Sequence, residues 1–142
     1  MRIDLRYTEI GARRFGEAKG RININNNSTI TSVDLIDDKV SIEFLFTSTY
    51  EPNVGEIRIK GNILVSDSKE NIERTIKEWG RSGQKNLPAD IAEDIHNAII
   101  SNCIIETVIL AREIQLPSPV PVPRVSMKDR ERSREGTESY IR

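Results

Sequence analysis

A single histidine, His96, limits the catalysis open to this chain. Any Ser-His-acid arrangement needs it, and nothing in the sequence places a particular serine beside it. Glu93 precedes it by three residues in a stretch with helical spacing, so the two share a face, as in half of a carboxylate-bridged di-metal motif. The other half needs a second Glu-x-x-His, which one histidine cannot supply, and a solvated or core-edge histidine is the plainer assignment. Cys103, the one cysteine, would act as a nucleophile only beside a base or a positive group. Its place on an isoleucine-rich helical face is that of a buried, inert thiol. Asp37 and Asp38 are adjacent at a strand end, point to opposite sides and serve a turn. Gly80-Arg81-Ser82-Gly83 lacks both the lysine-threonine ending and the preceding strand of a phosphate loop. The sequence thus offers no catalytic residue, no metal ligand set and no cofactor site, and the expectation is a binding protein, not an enzyme.

Bulk charge narrows the partners. The chain has 142 residues, and 21 basic against 22 acidic ones give a net charge of -1, so no global field draws nucleic acid or an anionic membrane. The best local basic patch is Arg13, Arg14, Lys19 and Arg21, joined by Arg2 and Arg6. With three Tyr, three Phe and one Trp, mostly at core-like positions, no stacking platform for single-stranded RNA stands out. A solvated loop is the favoured reading, with an RNA- or ribosome-associated factor as the alternative. One cysteine permits no internal disulfide, which fits a reducing cytosol. Charge at alternate positions in Met1–Arg6 leaves no apolar core for a signal peptide. The apolar stretch from Ile91 to Ile114 is interrupted by charged and polar residues that a membrane span tolerates poorly, so a cytoplasmic protein without a span is expected.

The elements follow from periodicity. Met1, Ile3, Leu5 and Tyr7 alternate with charge and predict a strand over 1–8, followed by a crossover over 11–20 that Phe15 pins down. Ile22 and Ile24 open a second strand, with a bulge expected at Asn26-Asn27-Ser28 and resumption through Ile30, Val33 and Leu35. Asp37-Asp38-Lys39 turns the chain into Val40, Ile42, Phe44 and Phe46 at two-residue spacing. Glu51-Pro52-Asn53 turns it again into Ile57, Ile59, Ile63 and Val65, with Gly61 leaving room for a close neighbour. Asp67 and Glu70 then begin a short helix carrying Ile72, Ile76 and Trp79 on one face, which Gly80 and Gly83 stop. Pro88 suits the first turn of a long helix through Ile91, Ile95, Ile99 and Cys103. Its second half is apolar nearly all round, with Ile104, Ile105, Val108, Ile109, Leu110 and Ile114, so more than one face must be covered. The prolines of 117–123 end it in an extended exit, either an ordinary linker to the tail or an arm packed across the domain or a neighbouring subunit through Val120, Val122 and Val125, the second being slightly favoured. Residues 126–142 form a charged tail expected to be disordered. The fold class is α+β: one domain over 1–125, a four-stranded antiparallel sheet with a short and a long C-terminal helix.

This order resembles the SecB protein-export chaperone fold. Leu5-Arg6-Tyr7-Thr8-Glu9-Ile10 is similar to the end of that family's first strand, Asp37-Asp38-Lys39-Val40 to its strand-entry turn, and Leu87-Pro88-Ala89 with Leu116-Pro117-Ser118-Pro119 to the borders of its last long helix. The resemblance covers roughly residues 1–120. It implies a homo-oligomer, dimer or tetramer, that holds unfolded or extended polypeptides in apolar grooves without ATP. Candidate client-binding residues are Phe44, Phe46, Tyr50, Trp79, Ile104 and Val108, large apolar groups near predicted edges. The SecB tail is strongly acidic and this one is mixed, so general holding or complex assembly is expected before docking to an export motor. A permanent subunit of a larger complex is the remaining alternative.

Overall fold

Strict two-residue alternation in the third strand sets the two faces of the sheet. In the computed structural model, which describes residues 1–121, β3 (Lys39–Glu51) buries Val40, Ile42, Phe44, Phe46, Ser48 and Tyr50 on one side. It is flanked by β2 (Asn23–Ile36) and β4 (Gly55–Ser66), and β1 (Arg2–Arg14) adds to β4, giving an antiparallel sheet in the order β1-β4-β3-β2. Helices α1 (Lys69–Arg81) and α2 (Ala89–Glu113) both lie on the buried side. This is the expected four-stranded α+β architecture. The tail over 126–142 lies outside the described residues, as do Val122 and Val125.

β1 is longer than its alternation predicts. The register slips between Tyr7 and Glu9, so Ile3, Leu5 and Tyr7 face the core on odd numbers, while Ile10 and Ala12 pair with Ile59 and Ile57 on even ones. One extra residue at a bulge inverts the phase of every residue after it, which is why Gly11–Arg14 reads as crossover in the sequence and is strand in the fold. In β2 the slip falls between Ile30 and Ser32, and not at Asn26-Asn27-Ser28, which pair regularly with Ser48, Thr47 and Phe46. Both slips sit on one row, Tyr7, Gly61, Phe44 and Ile30. Gly61 is required there, because a Cβ would run into the Phe44 ring and the Arg6 carbonyl.

β1 and β2 are opposite edges, so residues 15–22 must travel the full width of the sheet. The backbone N–H of Phe15 donates to Val54 O at 2.8 Å and anchors the start; the Phe15 ring itself stays exposed beneath the Arg13 guanidinium. The short helix is capped one residue later than predicted: Ser68 Oγ accepts from Asn71 N at 3.2 Å, while Asp67 accepts from Ser68 N. Ile72, Thr75 and Trp79 form its buried face. It runs through Gly80 and closes at Gly83, whose positive φ lets Gln84 N donate to Trp79 O at 2.8 Å. Gly80–Gly83 is therefore a helix end. Pro88 caps α2 just outside the helix.

Candidate functional site

Residues four apart on α2 form rows that drift slowly round the helix, and each row meets a different neighbour. Ile91, Ile95, Ile99, Cys103, Thr107 and Ala111 make the row buried against the sheet. On one flank, Asn102 O accepts from the Tyr7 hydroxyl at 2.9 Å, so that side faces β1. On the other flank lies the row Ala92, His96, Ile100, Ile104 and Val108. His96 Nδ1 and Ser28 Oγ stand 2.8 Å apart, which turns this row toward β2. Ile104 packs partly on the core, as do Ile22, Ile24 and Ile30 of β2, while Ile100 keeps 42 % of its surface exposed. The result is a partly open apolar strip between α2 and an edge strand whose outer side has no partner strand among the described residues. Farthest from the sheet, Ile105 and Ile109 are exposed.

Two of the candidate client residues, Ile104 and Val108, fall in this strip. The other four do not reach a surface. Phe44, Phe46 and Tyr50 are all but fully buried and Trp79 is 7 % exposed. Their two-residue or helical spacing put them near predicted edges, but both helices pack over that face of the sheet. A polar residue at Trp79 would therefore strike the core, and not a groove alone. Ile100, one row position before Ile104, was legible from the i, i+4 spacing and was missed.

The basic patch is divided by the pleat. Arg13 pairs with Glu56 on the face away from the helices, whereas Arg14 points the other way and donates to Ile114 O at 3.3 Å and Gln115 O at 2.6 Å. Arg14 thus caps the C-terminus of α2, where a cation belongs. Lys19 and Arg21 are exposed on the crossover. On the open sheet face Arg2 sits beside Asp4 and Lys60 beside Glu9, so basic and acidic groups are interleaved there.

The chemical candidates keep structural roles. Cys103 is fully buried, and burial first, then the nearby Glu106 charge, pushes its thiol up to about 12, far from a reactive thiolate. His96 Nδ1 bonds Ser28 Oγ, and among the described residues no carboxylate bonds its other nitrogen. A cleft of about 720 Å³ lies between α1 and the start of α2, but its Arg74 and Asp90 bind each other at 2.8 and 3.0 Å. That pairing holds the Asp90 carboxyl near 2, below the range of a general base working at neutral pH. Among the described residues no group of three His, Cys, Asp or Glu could hold a metal.

By length and composition α2 could cross a membrane, although its buried row is that of a helix packed on a sheet. No protein-family model and no curated protein sequence matches the chain. A solved structure does: the Mycobacterium tuberculosis Rv1957 SecB-like chaperone, in complex with a ChAD peptide from the Rv1956 HigA1 antitoxin, is similar with a TM-score of 0.58 and 14 % sequence identity, over 87 % of this chain and 88 % of that one. The fold of this chain is SecB-like.

Proposed function

We propose that this protein is a non-enzymatic, SecB-like chaperone that holds unfolded or extended polypeptide segments in the cytoplasm without ATP, as a homo-oligomer. The observation that carries the reading is the apolar strip of Ile100, Ile104 and Val108 beside the half-buried isoleucines of β2, an edge strand among the described residues. An edge strand offers unpaired N–H and C=O groups, and an extended segment that pairs with them places alternate side chains over one face of the sheet. Backbone pairing supplies affinity for any sequence, and the apolar strip favours segments that a folded protein would bury. The fold's likeness to a SecB-like chaperone solved with a peptide supports this assignment. Ile105 and Ile109, on the side of α2 away from the sheet, suit contact with a second copy, since they add apolar surface that the described residues leave exposed.

The test is suppression of aggregation of a chemically unfolded model protein, followed by light scattering without nucleotide. The wild type is expected to keep the client soluble at near-stoichiometric ratio, and the double substitution Ile100→Ser with Val108→Ser to lose most of that capacity while keeping its circular dichroism. A folded double variant that protects as well as the wild type would remove the strip from the site.

A further inference from the structure

The chain beyond α2 lies in a slot to which every strand contributes. The helix ends in a two-bond reversal: Leu116 N donates to Ala111 O at 2.8 Å and Gln115 N to Arg112 O at 3.3 Å, with Gln115 at φ 58. From there the backbone crosses the end of the sheet and meets one strand after another in spatial order. Arg14 of β1 donates to the carbonyls of Ile114 and Gln115. Gly55 of β4 lies under Leu116, where a Cβ would come within 2.8 Å of Leu116 Cδ1. The Tyr50 hydroxyl of β3 donates to Pro117 O at 2.7 Å. Asn26 of β2 donates to Pro119 O at 3.1 Å and steadies its own amide by accepting from the Ser48 hydroxyl at 2.7 Å. Leu116 and Pro119 are buried in the slot, and Pro117 between them is exposed.

Each of these sheet-to-strap hydrogen bonds ends on a strap carbonyl and starts from a side-chain donor. Proline has a carbonyl and no N–H, so a slot read in this way accepts proline where a strand ladder would reject it. Side-chain donors beside an aromatic ring are also how preformed polyproline segments are recognised elsewhere. We infer that the slot formed by Tyr50, Asn26 and Gly55 is a recognition site for extended, proline-containing peptides of the pattern Leu-Pro-x-Pro, filled in cis by Leu116–Pro119, which a polypeptide partner in extended form displaces. The inference rests on the reading of the protein as a polypeptide binder and adds the class of segment and the device that covers the site. Asn26 lies on β2 between Ile24 and Ser28, so the slot is continuous with the apolar strip. A ligand tethered by a short turn competes at an effective concentration on the order of millimolar, which keeps the slot shut against dilute peptides.

A fluorescein-labelled peptide of residues 113–121 is titrated by polarisation into the full chain and into its Leu116→Ala and Pro119→Ala variants, whose folding is followed by circular dichroism. Weakening the strap is expected to tighten peptide binding by about tenfold or more, as the internal competitor is lost. Adding Tyr50→Phe is expected to reverse about two- to tenfold of that gain, the value of one hydrogen bond. Equal affinity for wild type and variants, no binding to a folded variant, or unfolding of both variants would overturn the inference, the last because residues 116–119 would then be core and not ligand. Client protection by the wild-type preparation is read in parallel. Its loss counts against the proposed function alone, whereas the peptide affinities decide the slot.

Discussion

Opposite sides of α2 are both rich in isoleucine and meet different fates. Toward the sheet, Ile91, Ile95, Ile99, Cys103, Thr107 and Ala111 are buried, and the one polar member satisfies itself by donating from Thr107 Oγ1 to Cys103 O at 2.7 Å. Away from the sheet, Ile105 and Ile109 keep 65 % and 50 % of their surface exposed, with no helix or strand among the described residues upon them. Burial here follows the four-residue row and not the residue type: a threonine sits in the core while isoleucines face out. The inner row holds one chain together. The outer row packs on nothing among the described residues, which is the physical reason to propose a contact for it.

The largest effect that separates the two sides is in stability. Ile95→Ala is expected to lower the free energy of unfolding by about 3 kcal/mol, through lost burial and a cavity, and Ile105→Ala by about 0.5 kcal/mol or less in urea titrations at concentrations where the chain is a monomer. Similar losses at both positions would break the comparison. Cys103 sharpens it, because the thiol belongs to the inner row. With its thiol pushed up to about 12 by burial, it should resist iodoacetamide at neutral pH until the chain unfolds, and rapid labelling of the native protein would show α2 lifting from the sheet.

A smaller gain in stability is expected where α2 ends. Gln115 holds a left-handed conformation that glycine adopts freely, so Gln115→Gly should stabilise the chain by about 0.5–1 kcal/mol, read from the same urea titrations. The least effect concerns the start of α2. Asp90 is held down first by its hydrogen bonds from Arg74, so its carboxyl should titrate near 2 by NMR and return toward 3.8 in Arg74→Gln. Because the folded value is depressed, the contribution is present above 3.8 and is lost as pH falls through about 2. Unfolding already seen at pH 5 would have another source.

Much of the fold was legible because period and punctuation agree. Val40 to Phe46 alternate without a break, Asp37 and Asn53 take the positive φ their turns need, and the Ile91, Ile95, Ile99 and Cys103 spacing predicts the row that the structure buries. The bulges at Thr8 and Thr31 were not legible at their true places, since an inserted residue shifts the alternation without marking where it does so. The candidate site was half visible. Ile104 and Val108 follow from an apolar helix with too many faces, but the burial of Phe44, Phe46, Tyr50 and Trp79 depends on which face of the sheet both helices cover. The roles of Arg14, Asn26 and Gly55 at the strap come from contacts about 60 to 100 residues apart in sequence, which no local pattern records.

The most direct test of the account is the solution mass of the purified protein by light scattering, with and without an unfolded model client. A stable dimer or tetramer that takes up client and keeps it soluble is the predicted result. A monomer whose mass is unchanged by client would contradict both the holding function and the contact assigned to Ile105 and Ile109.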